Sequence, residues 1–247
     1  WSVNDTGDVT FTEYNYNEAG KLVFTVSAPD RASVDSLTGV TIDNVNTLSD
    51  SEYEALLQAG MSIAVYDLAE NRVDYVWSMN DSSKLSFTQY AYDSTGALLY
   101  TLSGESRSAV EGVTGITLAN FSTLSAAQID AALGAGMSLA VYDVTHNRVF
   151  YVWNKNNTGE LSYTAYAYDT QGNLVYTTTG ATQEAVLALT GITVDNVATL
   201  TQQLNDLKSS IYTRNEAVIQ FEVIRQENMR QDQEIRELRD KVGHGRN

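Results

Sequence analysis

Trp1, Trp77 and Trp153 stand 76 residues apart twice over, and the chain between them repeats at that period without an insertion or deletion. The copies share Asn4/Asn80/Asn156, Thr12/Thr88/Thr164, Tyr14/Tyr90/Tyr166, Tyr16/Tyr92/Tyr168, Gly20/Gly96/Gly172 and the Thr-Gly pairs at Thr38, Thr114 and Thr190. A fixed period of this kind is the signature of a repeat architecture, in which each unit buries its apolar face on its neighbours. Each unit is too small for a large core of its own, so neighbouring modules or neighbouring chains have to supply part of the burial.

Within a copy the elements are legible. Ser62–Asp67 and Arg72–Trp77 are β-branched and aromatic, and the turn-rich link between them predicts a hairpin. Leu85–Tyr92 alternates strictly, turns at Asp93-Ser-Thr-Gly96 and is followed by Leu98–Leu102, which completes a four-stranded antiparallel meander. Thr88, Tyr90 and Tyr92 fall on one face and Phe87, Gln89 and Ala91 on the other; the recurring Thr/Tyr face is expected to be the buried or stacked one. Between meanders the pattern turns helical. Ser49-Asp-Ser-Glu52 and Ser125-Ala-Ala-Gln128 are capping boxes, with Leu48/Tyr53 and Leu124/Ile129 at staple positions. Gly60 and Gly136 are expected to end these helices, of about ten residues, as left-handed C-caps.

The third copy holds Tyr212 where that glycine would recur, and the helix is expected to run on. Leu200, Leu204, Leu207 and Ile211 alternate spacings of four and three, as do Val218 and Phe221. A second frame, offset by a three-residue stammer, takes Phe221, Ile224, Ile235, Leu238 and Val242, with Asn228 and Gln231 on core positions. A helix over 200–242 is about 65 Å long, and an amphipathic helix of that length with no further domain to cover it predicts a homo-oligomer. Asn228, with Ile235 at a and Leu238 at d, fits a dimer, whereas Leu204, Phe221, Ile224 and Gln231 depart from the dimer rule. The open edges and apolar faces of four-stranded meanders are what a three-fold arrangement covers, so a parallel trimer is expected.

The predicted organisation is an α+β repeat protein of tandem four-stranded meanders joined by short helical connectors and ending in a coiled coil. Residues 1–28 form a partial, two-stranded β module, 29–60 a helical connector, 61–104 a meander, 105–136 a connector and 137–180 a second meander. A connector over 181–199, the coiled coil over 200–242 and a tail over 243–247 complete it. Because an isolated two-stranded ribbon is barely stable, the chain is expected to continue beyond Trp1.

Composition narrows the function. Of the 15 basic and 31 acidic side chains, residues 201–247 hold eight of each, leaving seven basic against 23 acidic in the repeats. That field repels phosphate backbones and anionic lipid, so no nucleic-acid partner and no membrane insertion are expected. The chain has no cysteine and hence no disulfide framework or thiol chemistry, and no apolar run approaches the roughly 18 residues of a membrane span. Trp1-Ser-Val-Asn-Asp lacks the basic and apolar regions of a secretory signal.

No catalytic set, metal or cofactor site is expected. His146 reads as a hairpin-loop residue and His244 as a tail residue. Asp67 and Asp143, beside Asn71 and Asn147, read as turn formers rather than calcium ligands, since no Asp-x-Asp-x-Asp-Gly run accompanies them. The recurring aromatics Trp77, Trp153, Tyr75 and Tyr151 have two readings: packing in the β core, or ring contacts with a glycan. Asn4, Asn80 and Asn156 each open a glycosylation sequon at the same turn.

Acidic, Thr/Asn/Gly/Tyr-rich β modules with helical necks and a terminal coiled coil resemble the trimeric fibres and spikes of bacteriophages and related fibrous adhesins, in organisation over the whole chain and without a diagnostic motif. The resemblance implies an elongated homotrimeric fibre, a virion appendage used in host attachment, located on a virion or extracellular surface, with other virion proteins and a host surface glycan or protein as partners. A glycan-binding adhesin or a glycosylated cell-surface stalk is the alternative.

Overall fold

A computed structural model describes residues 1–3, 7, 9–189 and 191–209. It divides into two compact units that meet between Thr190 and Gly191. The first unit is one antiparallel sheet whose eleven strands lie side by side in chain order. They are β1 (Ser2–Val3), β2 (Val9–Tyr16), β3 (Leu22–Ala28), β4 (Ser62–Asp67), β5 (Arg72–Met79), β6 (Leu85–Tyr92), β7 (Leu98–Gly104), β8 (Met137–Asp143), β9 (Arg148–Lys155), β10 (Leu161–Tyr168) and β11 (Leu174–Gly180).

The predicted meanders are therefore present but not separate. β3 pairs with β4 through Phe24↔Val65, and β7 pairs with β8 through Tyr100↔Val141, one period later and in the same register. Each connector leaves the sheet and returns its chain beside the strand it came from. The two N-terminal strands β2 and β3 are accordingly no isolated ribbon; they are the start of the common sheet. Five of the hairpin pairings carry a register shift at a tyrosine, at Tyr16, Tyr66, Tyr92, Tyr142 and Tyr168. Such bulges sharpen the local twist near the hairpin tips.

The connectors supply five short helices: α1 (Arg31–Ser36), α2 (Asp50–Leu56), α3 (Arg107–Glu111), α4 (Ala126–Ala132) and α5 (Gln183–Leu187). Both capping boxes form, Ser49 with Glu52 and Ser125 with Gln128. The helix ends differ from expectation. α2 and α4 stop at the extended residues Leu57 and Leu133, after seven residues each, and not at glycine. Gly60 and Gly136 instead open the next strand: their N–H groups donate to the carbonyls of Met79 and Lys155, each at 2.8 Å, and their positive φ turns the chain into β4 and β8. A Cβ at Gly136 would lie 2.7 Å from Asn157 Oδ1, so the glycine answers to the sheet ladder and not to the helix.

The helices all lie on one face, and it is not the Thr/Tyr face. Phe87 is buried against them at 1% exposure, while Thr88, Tyr90 and Tyr92 on the opposite face are half-buried. Val34, Val110 and Val186 anchor α1, α3 and α5 where β3, β7 and β11 end in the small residues Ala28, Gly104 and Gly180. Recurrence across the copies marks a position that every repeat uses, and both faces of a continuous sheet qualify. Helix cover decides which is the core.

In the second unit, residues 197–209 are helical, an element we call α6. It begins earlier than α2 or α4 do in their copies. The physical reason is the lost capping box: Thr201 and Leu204 stand where Ser125 and Gln128 do, so nothing holds the chain out of the helix at that point. Thr201 Oγ1 donates back to the Val197 carbonyl at 2.8 Å, a bond made inside a helix. Ile211, Val218, Phe221, Ile224, Asn228, Gln231, Ile235, Leu238, Val242 and Tyr212 lie outside the described residues. No helix among the described residues is long and apolar enough to cross a membrane.

Candidate functional site

The sheet has two distinct environments, the aromatic column under the helices and the bare face opposite. In the column, Tyr53 from α2 stacks on Trp77 at 4.8 Å between centroids, Trp77 meets Phe87 at 4.8 Å, and Phe87 meets Tyr75 at 5.3 Å. The next copy repeats it as Trp153–Tyr163 at 4.8 Å and Tyr163–Tyr151 at 5.3 Å. Trp77 is 0% exposed, Trp153 2%, Tyr75 3% and Tyr151 7%. This corrects the glycan-contact reading for all four residues: a sugar needs an open ring face, and these faces are spent on one another. They are core aromatics.

Hydrogen bonding tightens the column. The Tyr53 hydroxyl donates to the Val45 carbonyl, and that of Tyr75 to Asn46 Oδ1 at 2.9 Å. Arg107, the first residue of α3, reaches back over the preceding copy, with its guanidinium 4.8 Å from the Tyr75 ring centroid and 2.7 Å from Glu111. It seals the column with a cation over an aromatic face. The equivalent positions hold Arg31, over Phe11 at 5.8 Å, and Gln183. Sequence reading missed this clasp, although Arg107 directly follows the helix N-cap Ser106 and so has a fixed place in the copy.

Burial pushes the Tyr151 hydroxyl up to about 12, with the neighbouring Tyr163 adding to the effect, and raises Tyr53 and Tyr75 for the same first reason. A phenol whose pKa is higher folded than unfolded stabilises the fold fully below pH 10, and that stability drains away as pH climbs toward the folded value. Alkaline titration followed by phenolate absorbance should therefore show the column tyrosines ionising above the ordinary phenol range, together with loss of the β-sheet circular dichroism. A single step near pH 10 with the fold intact would contradict the buried column.

None of α1–α5 lies on the opposite face. Across β3, β4 and β5 its rows run Ser27–Ser62–Ser78 and Thr25–Ala64–Val76, and one period on they run Ser103–Ser138–Asn154 and Thr101–Ala140–Val152. Hydroxyls on it satisfy each other: Thr12 with Ser27 at 2.9 Å, Thr88 with Ser103 at 2.8 Å, and Thr164 with Thr179 at 2.8 Å. Tyr90 and Tyr92 lie nearly parallel, 6.5 Å apart. Among the described residues, charge on this face appears toward the hairpin tips, at Arg72 and Arg148, whose guanidiniums lie 4.6 and 4.2 Å from the rings of Tyr92 and Tyr168.

The polar loop residues are engaged in turns. Asp67 Oδ1 accepts from the Ala69 N–H at 2.8 Å, and Asn71 and Asn147 take positive φ. His146 Nδ1 sits 2.7 Å from Asp143, whose carboxyl it holds below the ordinary value. The depression of about 520 Å³ beside His146, Arg148 and Asp169 is an open one between hairpin tips. Asn80 and Asn156 are exposed, and each side-chain oxygen accepts backbone N–H groups of its own turn. On α6, Leu200, Leu204 and Leu207 are 40%, 51% and 58% exposed, a stripe at the four-then-three spacing of a coiled-coil seam. No protein-family model and no curated protein matches the chain.

Proposed function

We propose that this chain is a structural protein, a shaft segment of a trimeric fibre or spike used as a virion appendage in host attachment. The observation that carries the reading is the repeated pairing of β3 with β4 and of β7 with β8, by which each 76-residue copy adds four strands to one sheet. At about 4.8 Å per strand, each copy lengthens the sheet by about 19 Å. A protein that grows by identical increments sets distance, which is what a shaft does. The residues of each copy are spent on packing and turns, with the aromatic column as core and the Asp and Asn side chains as turn acceptors. The leucine stripe of α6 supports the homo-oligomer, because in one chain it is left open to water.

Mass photometry of the full chain tests the proposal. Three protomers of 27.1 kDa are expected. A mass of two protomers refutes the trimer and spares the oligomeric shaft; a mass of one refutes both.

A further inference from the structure

We infer that the uncharged sheet face, centred on Ala64, Val76, Thr88 and Ala140, is the surface through which copies of this chain pack on one another. The inference rests on the homo-oligomeric reading above and adds to it a surface distinct from the helical seam. An antiparallel sheet with one covered face ordinarily turns charged and polar side chains outward on the other. Here the central rows hold Ser, Thr, Ala, Val, Tyr and Asn154, with no carboxylate and no basic side chain, in repeats that carry 23 acidic against seven basic side chains.

Three features make the occupant another copy. Like-charged chains repel, and this face lets two of them approach without bringing carboxylates together. The rows recur every 76 residues, so a partner with the same period buries equivalent rows of both repeats at once, and another copy of the chain has that period by construction. The side chains are short, which suits sheets packed face to face about 10 Å apart. The paired hydroxyls point the same way. Thr12 with Ser27, Thr88 with Ser103 and Thr164 with Thr179 are already hydrogen-bonded, so covering them leaves few polar groups unsatisfied.

The natural chain has no cysteine, which gives a clean test. Full-length Ala64→Cys, Ala140→Cys, Leu204→Cys and Glu54→Cys, each with one thiol, are treated with a bismaleimide of about 10 Å reach, the sheet-to-sheet spacing. Thermal melts matched to the parent chain establish that each variant is folded. Depletion of the monomer band is expected for Ala64→Cys, Ala140→Cys and Leu204→Cys, with Glu54→Cys on the helix-covered side remaining monomeric. If Leu204→Cys cross-links while both alanine-site variants stay monomeric, the copies are held by the helix alone and the inference is overturned with the oligomer intact. If none cross-links, both readings fail.

Discussion

Trp77→Ala is expected to destabilise the folded chain by about 3–5 kcal/mol, the range for truncating a large buried aromatic to alanine. Trp77 is among the largest fully buried side chains, with Tyr53 and Phe87 both 4.8 Å from it. Removing the indole empties the contact between α2 and the sheet, and the column cannot collapse without pulling the helix off its strand. The indole Nε1 has no hydrogen-bond partner, so the loss is one of packing and not of a polar bond. Trp77→Phe should therefore recover part of the stability with no donor to replace. Trp1 supplies the contrast. It holds the same place in the repeat but is 72% exposed, edge-on to Phe11 at 5.0 Å, and Trp1→Ala should change stability by no more than about 0.5 kcal/mol. Urea unfolding of the three variants gives the comparison, and equal midpoints for Trp77→Ala and Trp1→Ala would show that the column is not the core.

Against a stability of about 5–15 kcal/mol for a typical domain, that one substitution is a large fraction. The continuous sheet is expected to spread the damage. β5 carries Trp77 and pairs with β4 and β6, and β4 in turn holds β3 of the preceding β module. Loss at Trp77 should loosen the joint between copies as well as the copy itself, as nearest-neighbour coupling in repeat proteins predicts.

What the sequence disclosed and what it concealed divide along physical lines. Strands β4 and β6 and the capping boxes at Ser49 and Ser125 are written locally, in alternation and in a hydroxyl three residues before Glu52 or Gln128, and the structure has them at those positions. The pairing of β3 with β4 is not local. Its partners are separated by residues 29–61, and alternation within Phe24–Ser27 says nothing about which strand will lie alongside. Treating the meanders as separate followed from that silence. The glycine assignment failed for a related reason: a positive φ after a helix serves either a C-cap or a strand entry, and the backbone bonds of Gly60 to Met79 and of Gly136 to Lys155 decide between them. The bare face was present in the alternation of every strand, but only the register sets Ser27, Ser62 and Ser78 in one row.

A chain ending at residue 199 is expected to sediment as one protomer at low micromolar concentration, where the full chain sediments as three. The 1–190 part is a compact unit with its own core, so the truncation removes association without removing the fold. The deleted segment begins with Leu200, Leu204 and Leu207, whose exposed stripe is worth about 1.5–3 kcal/mol per leucine once fully buried. On the proposed reading, three copies of this stripe supply the free energy that joins the chains. On the inference drawn from the bare face, the sheet contributes in a different way. Its short, uncharged side chains make a broad but shallow contact, and when the helices join the chains that contact becomes intramolecular, at an effective concentration in the millimolar range. Without the helices the same face meets its partner at micromolar concentration and a thousandfold less often, and the acidic repeats drift apart. An intact trimer of the truncated chain would move the clamp from the helix to the sheet, while a monomeric full chain would remove it from both.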